Sequence, residues 1–142
     1  MRLRPGQRLR RNADFGAVRE QGRRLDCGAF LLTWRVRPAA GPARVGFVAS
    51  RAAVGDAVHR NRAKRRLREI FRQHQHLVPG RLDLVLTART ALLRLNFAEV
   101  AQRFATACAK RRAASTKSSR SSAARAVSTR SRLGGTRCWC WR

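Results

Sequence analysis

Acidic residues are scarce in this chain: seven Asp and Glu stand against 33 Lys and Arg, a formal net charge of +26 over 142 residues. A compact fold tolerates such self-repulsion best when a polyanion neutralises it, so nucleic acid leads among the partner classes. No stretch approaches the roughly 20 apolar residues of a bilayer span, and charges interrupt every apolar run, which argues against membrane insertion. The basic start, Met1 to Arg11, lacks the apolar segment that a signal peptide carries after its charged region, so a cytoplasmic protein is expected. The four cysteines show no zinc spacing. Cys27 and Cys108 stand alone and are expected to pack as small hydrophobes, while Cys138 and Cys140 sit two apart near the end. Asp14, Asp26, Asp56 and Asp83 are scattered, and His59, His74 and His76 have no evident nucleophile beside them. Neither catalysis by the protein alone nor a protein-built metal site for phosphodiester hydrolysis finds support.

The length suits one domain with a hydrophobic core plus a tail. Beyond Lys110 the chain turns to Ser, Arg, Ala and Thr and loses its acids, so we divide it into a folded domain, 1–110, and an Arg/Ser-rich tail, 111–142, expected to be disordered. Within the domain helices and strands mix, and no repeat is present. Asn12 can cap a short helix that Gly22 ends. Ala29 to Val36 and Arg44 to Ala49 read as strands joined by a turn at Pro38, Gly41 and Pro42, with an antiparallel pairing expected between them. A long helix from about Ala57 to Val78 precedes a buried strand, Leu82 to Ala88. A last helix opens on a capping box of Asn96 and Glu99 and should run to about Arg111.

The long helix carries the chemistry. At about 100° per residue, Ala63, Leu67, Ile70, Phe71, His74, Leu77 and Val78 share an arc of about 120°, the width of a core-facing stripe. Beside that stripe lie Arg60, Asn61, Lys64, Arg65, Arg68 and Arg72 over about 140° with no acid among them, while Arg62 and Arg66 point elsewhere and Glu69 lies nearly opposite the apolar centre. Ordinary solvated helices mix signs. A patch of one sign gains few i,i+4 ion pairs and makes sense where phosphates satisfy it. Asn61 adds a neutral donor and acceptor able to fix register on a sugar or base edge. His74, on the apolar arc, reads as a packed and hydrogen-bonded histidine.

The run Arg60-Asn61-Arg62-x-Lys64-Arg65-x-x-Arg68 resembles the RNR signature of the bacterial ribonuclease P protein family. Arg11-Asn12-x-Asp14-Phe15-x-x-Val18, Phe30-Leu31-Leu32, Arg44-Val45-Gly46-Phe47-Val48 and Asp83-Leu84-Val85 follow in that family's order and approximate spacing, so the resemblance covers roughly residues 8 to 110. It implies an α+β fold, a ribosomal-protein-like α/β sandwich of about four strands and three helices with a left-handed βαβ crossover. It also implies a catalytic RNA subunit with bound Mg2+ that removes the 5′ leader of precursor tRNA, the protein binding that RNA and the leader. Carried over by position, Arg60, Asn61, Arg62, Lys64, Arg65 and Arg68 match the RNA-binding signature, Arg51 precedes it in a fitting Ser-Arg pair, and Phe15 matches a leader-cleft aromatic. Two further cleft positions, aromatic in relatives, are Arg19 and Thr33 here, which shifts leader affinity from base stacking toward salt-sensitive phosphate contacts. Strand alternation turns Trp34 away from Thr33 and into the core. The alternative is a ribosomal or other structural RNA-binding protein with no part in cleavage. A DNA-binding helix lacks dimer signals and a helix-turn-helix partner.

Overall fold

The computed structural model describes residues 3–128, with side chains to residue 113. Contacts divide the chain after Cys108. The first unit holds α1 (Asn12–Gln21), β1 (Arg23–Asp26), β2 (Phe30–Val36), β3 (Arg44–Val48), α2 (Arg51–Val54), α3 (Ala57–His74), β4 (Leu82–Ala88), α4 (Ala91–Arg94) and the start of α5 (Phe97–Ser128). Beyond Cys108 the described chain is the helical continuation of α5.

The four strands form one sheet in the order β1-β2-β4-β3, with β2 antiparallel and β3 parallel to β4. The expected pairing of β2 with β3 is therefore corrected: β4 lies between them. The reason is apolarity, since six of the seven β4 residues are buried and such a strand belongs in the middle of a sheet covered on both faces. β1, which the residue pattern did not reveal, is an edge strand whose Arg23, Arg24 and Asp26 are exposed.

Alternation assigns the two faces. Phe30, Leu32, Leu84, Leu86 and Val45 join the larger core with Ala63, Leu67, Ile70 and Phe71 of α3 and Val100, Phe104, Ala107 and Cys108 of α5. Phe30, Phe104, Phe71 and Phe47 run through it as a chain of ring contacts 6.2 to 6.4 Å between centroids, the tilted and edge-on arrangements that ring quadrupoles favour. Trp34 packs against this core, as alternation requires. On the opposite face α1 lays Val18 over Val85, with Leu9, Phe15 and Val48 around them.

Local signals set the helix ends. Asp56 caps α3, its carboxylate accepting from the His59 N–H at 2.9 Å, and that backbone N–H holds the Asp56 carboxyl below its ordinary pKa. Gly55 before it sits at φ 96°, a conformation glycine reaches without the strain a β-carbon adds. Regular α3 stops at His74 and a 3-10 turn, Gln75–Leu77, replaces the expected last turn to Val78, because the residue before Pro79 is steered away from helix. Asn12 is the first residue of α1, and Arg11 occupies the cap position without a side-chain bond. The Asn96 box forms as expected: Asn96 Oδ1 accepts from the Glu99 N–H at 2.8 Å, and Glu99 Oε2 from the Asn96 N–H at 3.2 Å. Helical backbone then runs past Arg111 to Ser128. Residues 129–142, with Cys138 and Cys140, lie outside the described residues.

Candidate nucleic-acid interface

α3 separates its faces as the wheel predicts. The stripe residues Ala63, Leu67, Ile70 and Phe71 are buried, Asn61, Arg62, Arg65 and Arg68 are exposed, and Arg60 and Lys64 are half-buried along the boundary. Arg51 is exposed at the start of α2. Asn61 lies in the second turn, makes no side-chain hydrogen bond among the described residues, and does not cap the helix, because Asp56 does. The patch is smaller than its sequence suggested. Arg72 turns to Glu69, which it holds through a two-pronged ion pair that Gln73 also joins, and this pairing raises the Arg72 pKa and lowers that of Glu69.

Arg66 does structural work on the far side of α3. Its two terminal nitrogens donate to the carbonyls of Leu92 and Leu95, each at 2.6 Å, closing the end of α4. Charged hydrogen bonds of this kind are worth about 1.5–3 kcal/mol each. We expect Arg66→Ala to lower the thermal midpoint by the equivalent of about 3 kcal/mol, the low end for two such bonds, while leaving RNA affinity of the folded fraction unchanged. A loss of affinity without loss of stability would place Arg66 in the interface instead.

A groove of about 150 Å³ opens at the outer edge of β3, between α1 and α3. Arg8, Leu9, Phe15, Val45, Gly46, Phe47, Lys64 and Arg68 line it. The Phe15 ring lies on the backbone of Gly46, where a β-carbon would stand 2.7 Å from Phe15 Cζ and closer still to Cε1. The Arg68 guanidinium stands over the Phe47 ring, 5.9 Å from its centroid, within cation–π range. The N-terminal segment is held there by the Leu9 N–H, which donates to the Val45 carbonyl at 3.0 Å. Two sites predicted separately, the α3 cations and Phe15, thus meet in one groove with an apolar floor, three cations and no acid in its lining.

The remaining predicted cleft residues part company. Arg19, one turn beyond Phe15, is exposed. Thr33 is corrected: only 4 % exposed, it lies beneath Gly22 at the end of α1 and cannot touch a ligand. Arg8, Gly46 and Phe47 were not predicted as site residues. Arg8 lies in a basic run without periodicity, and Phe47 reads as a core strand residue; for Gly46 the signal was present, since glycine inside a strand marks a close approach.

His74 accepts its expected role, its Nδ1 3.0 Å from the Ile70 carbonyl and its ring against Phe104. Among the described residues no three His, Cys, Asp or Glu side chains form a group that could hold a metal ion, and no helix is long and apolar enough to cross a membrane.

Comparison with known proteins agrees with this geometry. A family model described as Ribonuclease P matches residues 3–112. The chain is 42% identical over 102 residues to the ribonuclease P protein component of a Nocardioides species, covering 70% of this chain and 86% of that protein. It is 39% identical over 90 residues to that of Syntrophomonas wolfei, covering 63% and 74%. The solved ribonuclease P protein of Thermotoga maritima superposes with a TM-score of 0.63 at 30% identity, over 71% of this chain and 94% of that one. The signature on α3, the sheet that supports it and these likenesses agree: the chain belongs to the ribonuclease P protein family.

Proposed function

We propose that this chain holds the 5′ leader of precursor tRNA in the groove between Phe15 and α3, while Arg51, Arg60, Asn61, Arg62 and Arg65 bind the catalytic RNA, with Lys64 and Arg68 at the border of the two. The protein component belongs to an endoribonuclease that matures tRNA 5′ ends and in which the RNA carries catalysis. One observation supports the leader assignment above others: a single groove joins an aromatic ring to Arg8, Lys64 and Arg68. Single-stranded RNA needs that combination, a π-face for a base and cations for the phosphates on either side of it. In this reading Mg2+ belongs mainly to the RNA subunit, the complex works in the cytoplasm, and the protein's own contribution is to position RNA and screen its charge. With Thr33 buried, Phe15 is the aromatic platform and Arg19 contributes charge.

The test is reconstitution with ribonuclease P RNA and labelled precursor tRNA at low magnesium. Protein and RNA together should release the leader, and protein alone should not. Phe15→Ala should weaken binding of leader-bearing precursor about thirtyfold, the middle of the range for stacking one base, and leave leaderless tRNA unaffected. Cleavage by RNA-free protein, or equal losses for both substrates, would sink the reading.

A further inference from the structure

α1 is fastened to the sheet at two places. At its end Arg35 donates to Gln21 Oε1 at 2.9 Å and Arg24 to the Arg19 carbonyl at 2.9 Å. Its first turn is tied differently. The Arg44 guanidinium forks onto Asp83 through Nε and Nη2, both at 2.8 Å. With its other edge it reaches Asp14, Nη1 and Nη2 standing 3.3 and 3.2 Å from the two carboxylate oxygens.

Three features set this chain of ion pairs apart from ordinary surface pairing. Asp83 is buried in the central strand at 0 % exposure, so it is an anchor that cannot move without the sheet. The Asp14–Arg44 link is part-exposed on both sides, where an ion pair contributes little to stability. Two of the chain's seven acids are placed here, beside a groove whose charged lining residues are all cations, although a nearby carboxylate opposes phosphate binding. What the link does fix is the residue after Asp14. That residue is Phe15, whose ring packs against Gly46, and Gly46 is two residues along β3 from Arg44.

We propose that Asp83, Arg44 and Asp14 form a positioning device that sets the first turn of α1 and thereby holds the Phe15 ring in the groove for the leader. Arg44 and Asp14 are positioning residues: they act through Phe15 and touch no RNA. The inference rests on the leader assignment made above and adds the residues that tune it.

The test uses the reconstituted holoenzyme with leader-bearing and leaderless substrates, and the variants Asp14→Asn, Gly46→Ala, Phe15→Ala and the double variant Asp14→Asn/Phe15→Ala. Asp14→Asn keeps the Arg44–Asp83 pair, so the fold should survive, and a thermal midpoint checks this. Simple electrostatics predicts tighter RNA binding when an acid is removed. Positioning predicts the opposite sign: KM for the leader-bearing precursor should rise roughly three- to tenfold, within the energy of stacking one base, with kcat and leaderless binding unchanged. Gly46→Ala, which unseats the ring from below, should give the same leader-confined loss and serves as a second arm. In the Phe15→Ala background Asp14→Asn should add nothing, since two residues acting through one contact are not additive. Tighter binding, equal losses with and without a leader, or an undiminished loss in the double variant overturns the proposal while leaving Phe15 as a leader contact. Absence of any leader effect in Phe15→Ala removes the leader assignment itself.

Discussion

Arg44→Met should cost the folded unit about 3 kcal/mol or more, because it leaves the Asp83 carboxylate buried with only distant partners. Arg35 and Arg37 approach Asp83 at 3.8 and 3.9 Å, against 2.8 Å for each prong of Arg44, so they offset part of the loss but cannot replace the fork. Hydrogen bonding to Asp83 also holds the Arg44 pKa above its ordinary value, against the opposing effect of burial. In a unit of this size the change corresponds to a fall in thermal midpoint of more than about 10 °C. The companion variant Arg44→Met/Asp83→Leu should recover much of it, since a well-packed apolar pair often matches a buried ion pair that has been removed whole. A single variant as stable as the parent, or a double variant worse than the single, contradicts the view of Asp83 as a buried anchor. Calorimetry on the three proteins decides it.

The second large effect lies in RNA affinity. Replacing Arg60, Lys64, Arg65 and Arg68 together by Ala should make the slope of log affinity against log salt shallower by roughly three units, at about 0.7 to 0.9 per phosphate contact. At 0.1 M salt that corresponds to about three decades of affinity for ribonuclease P RNA. Asn61→Ala provides the contrast: it should weaken binding or cleavage with the slope nearly unchanged, because a neutral amide positions a strand without releasing a counterion. The helix does not depend on it, as Asp56 supplies the cap. Titrations at several salt concentrations test both; an unchanged slope in the fourfold variant means that α3 has been assigned the wrong face.

What could be read from residues alone follows the range of the interaction. The Asn96–Glu99 box spans three positions and was legible, as was the apolar arc of α3, whose Ala63, Leu67, Ile70 and Phe71 are all buried. Strand partners were not. β2 and β3 are neighbours in the chain, and only the whole sheet reveals that β4 enters between them. β1 escaped notice because Arg23, Arg24 and Asp26 show no apolar alternation, and the four-strand count came from the family resemblance. The α3 cations and Phe15 were each identified, yet their meeting in one groove depends on Gly46, more than 30 positions after Phe15. Asp83 looked like a stray acid in an apolar strand until Arg44, 39 residues earlier, supplied its counter-charge. Thr33 came to the cleft by position in the family resemblance, which carries a residue's place in the strand but not what covers it.

The position of β4 also bears on how the protein comes into being. Synthesis proceeds from the N-terminus, and β4, at residues 82–88, is the last strand made among the described residues, although β2 and β3 both pair with it. Until it leaves the ribosome, β3 has no strand partner and the core stripe of α3 has no completed sheet to cover. The nascent chain therefore presents its most basic helix, next to ribosomal RNA, before the fold that will shield its apolar side exists. Closing the sheet demands contacts distant in sequence, which fold slowly and leave apolar surface exposed meanwhile. A polyanion that engages α3 early would lessen its charge repulsion during that interval, making assembly with RNA and completion of the sheet parts of one process.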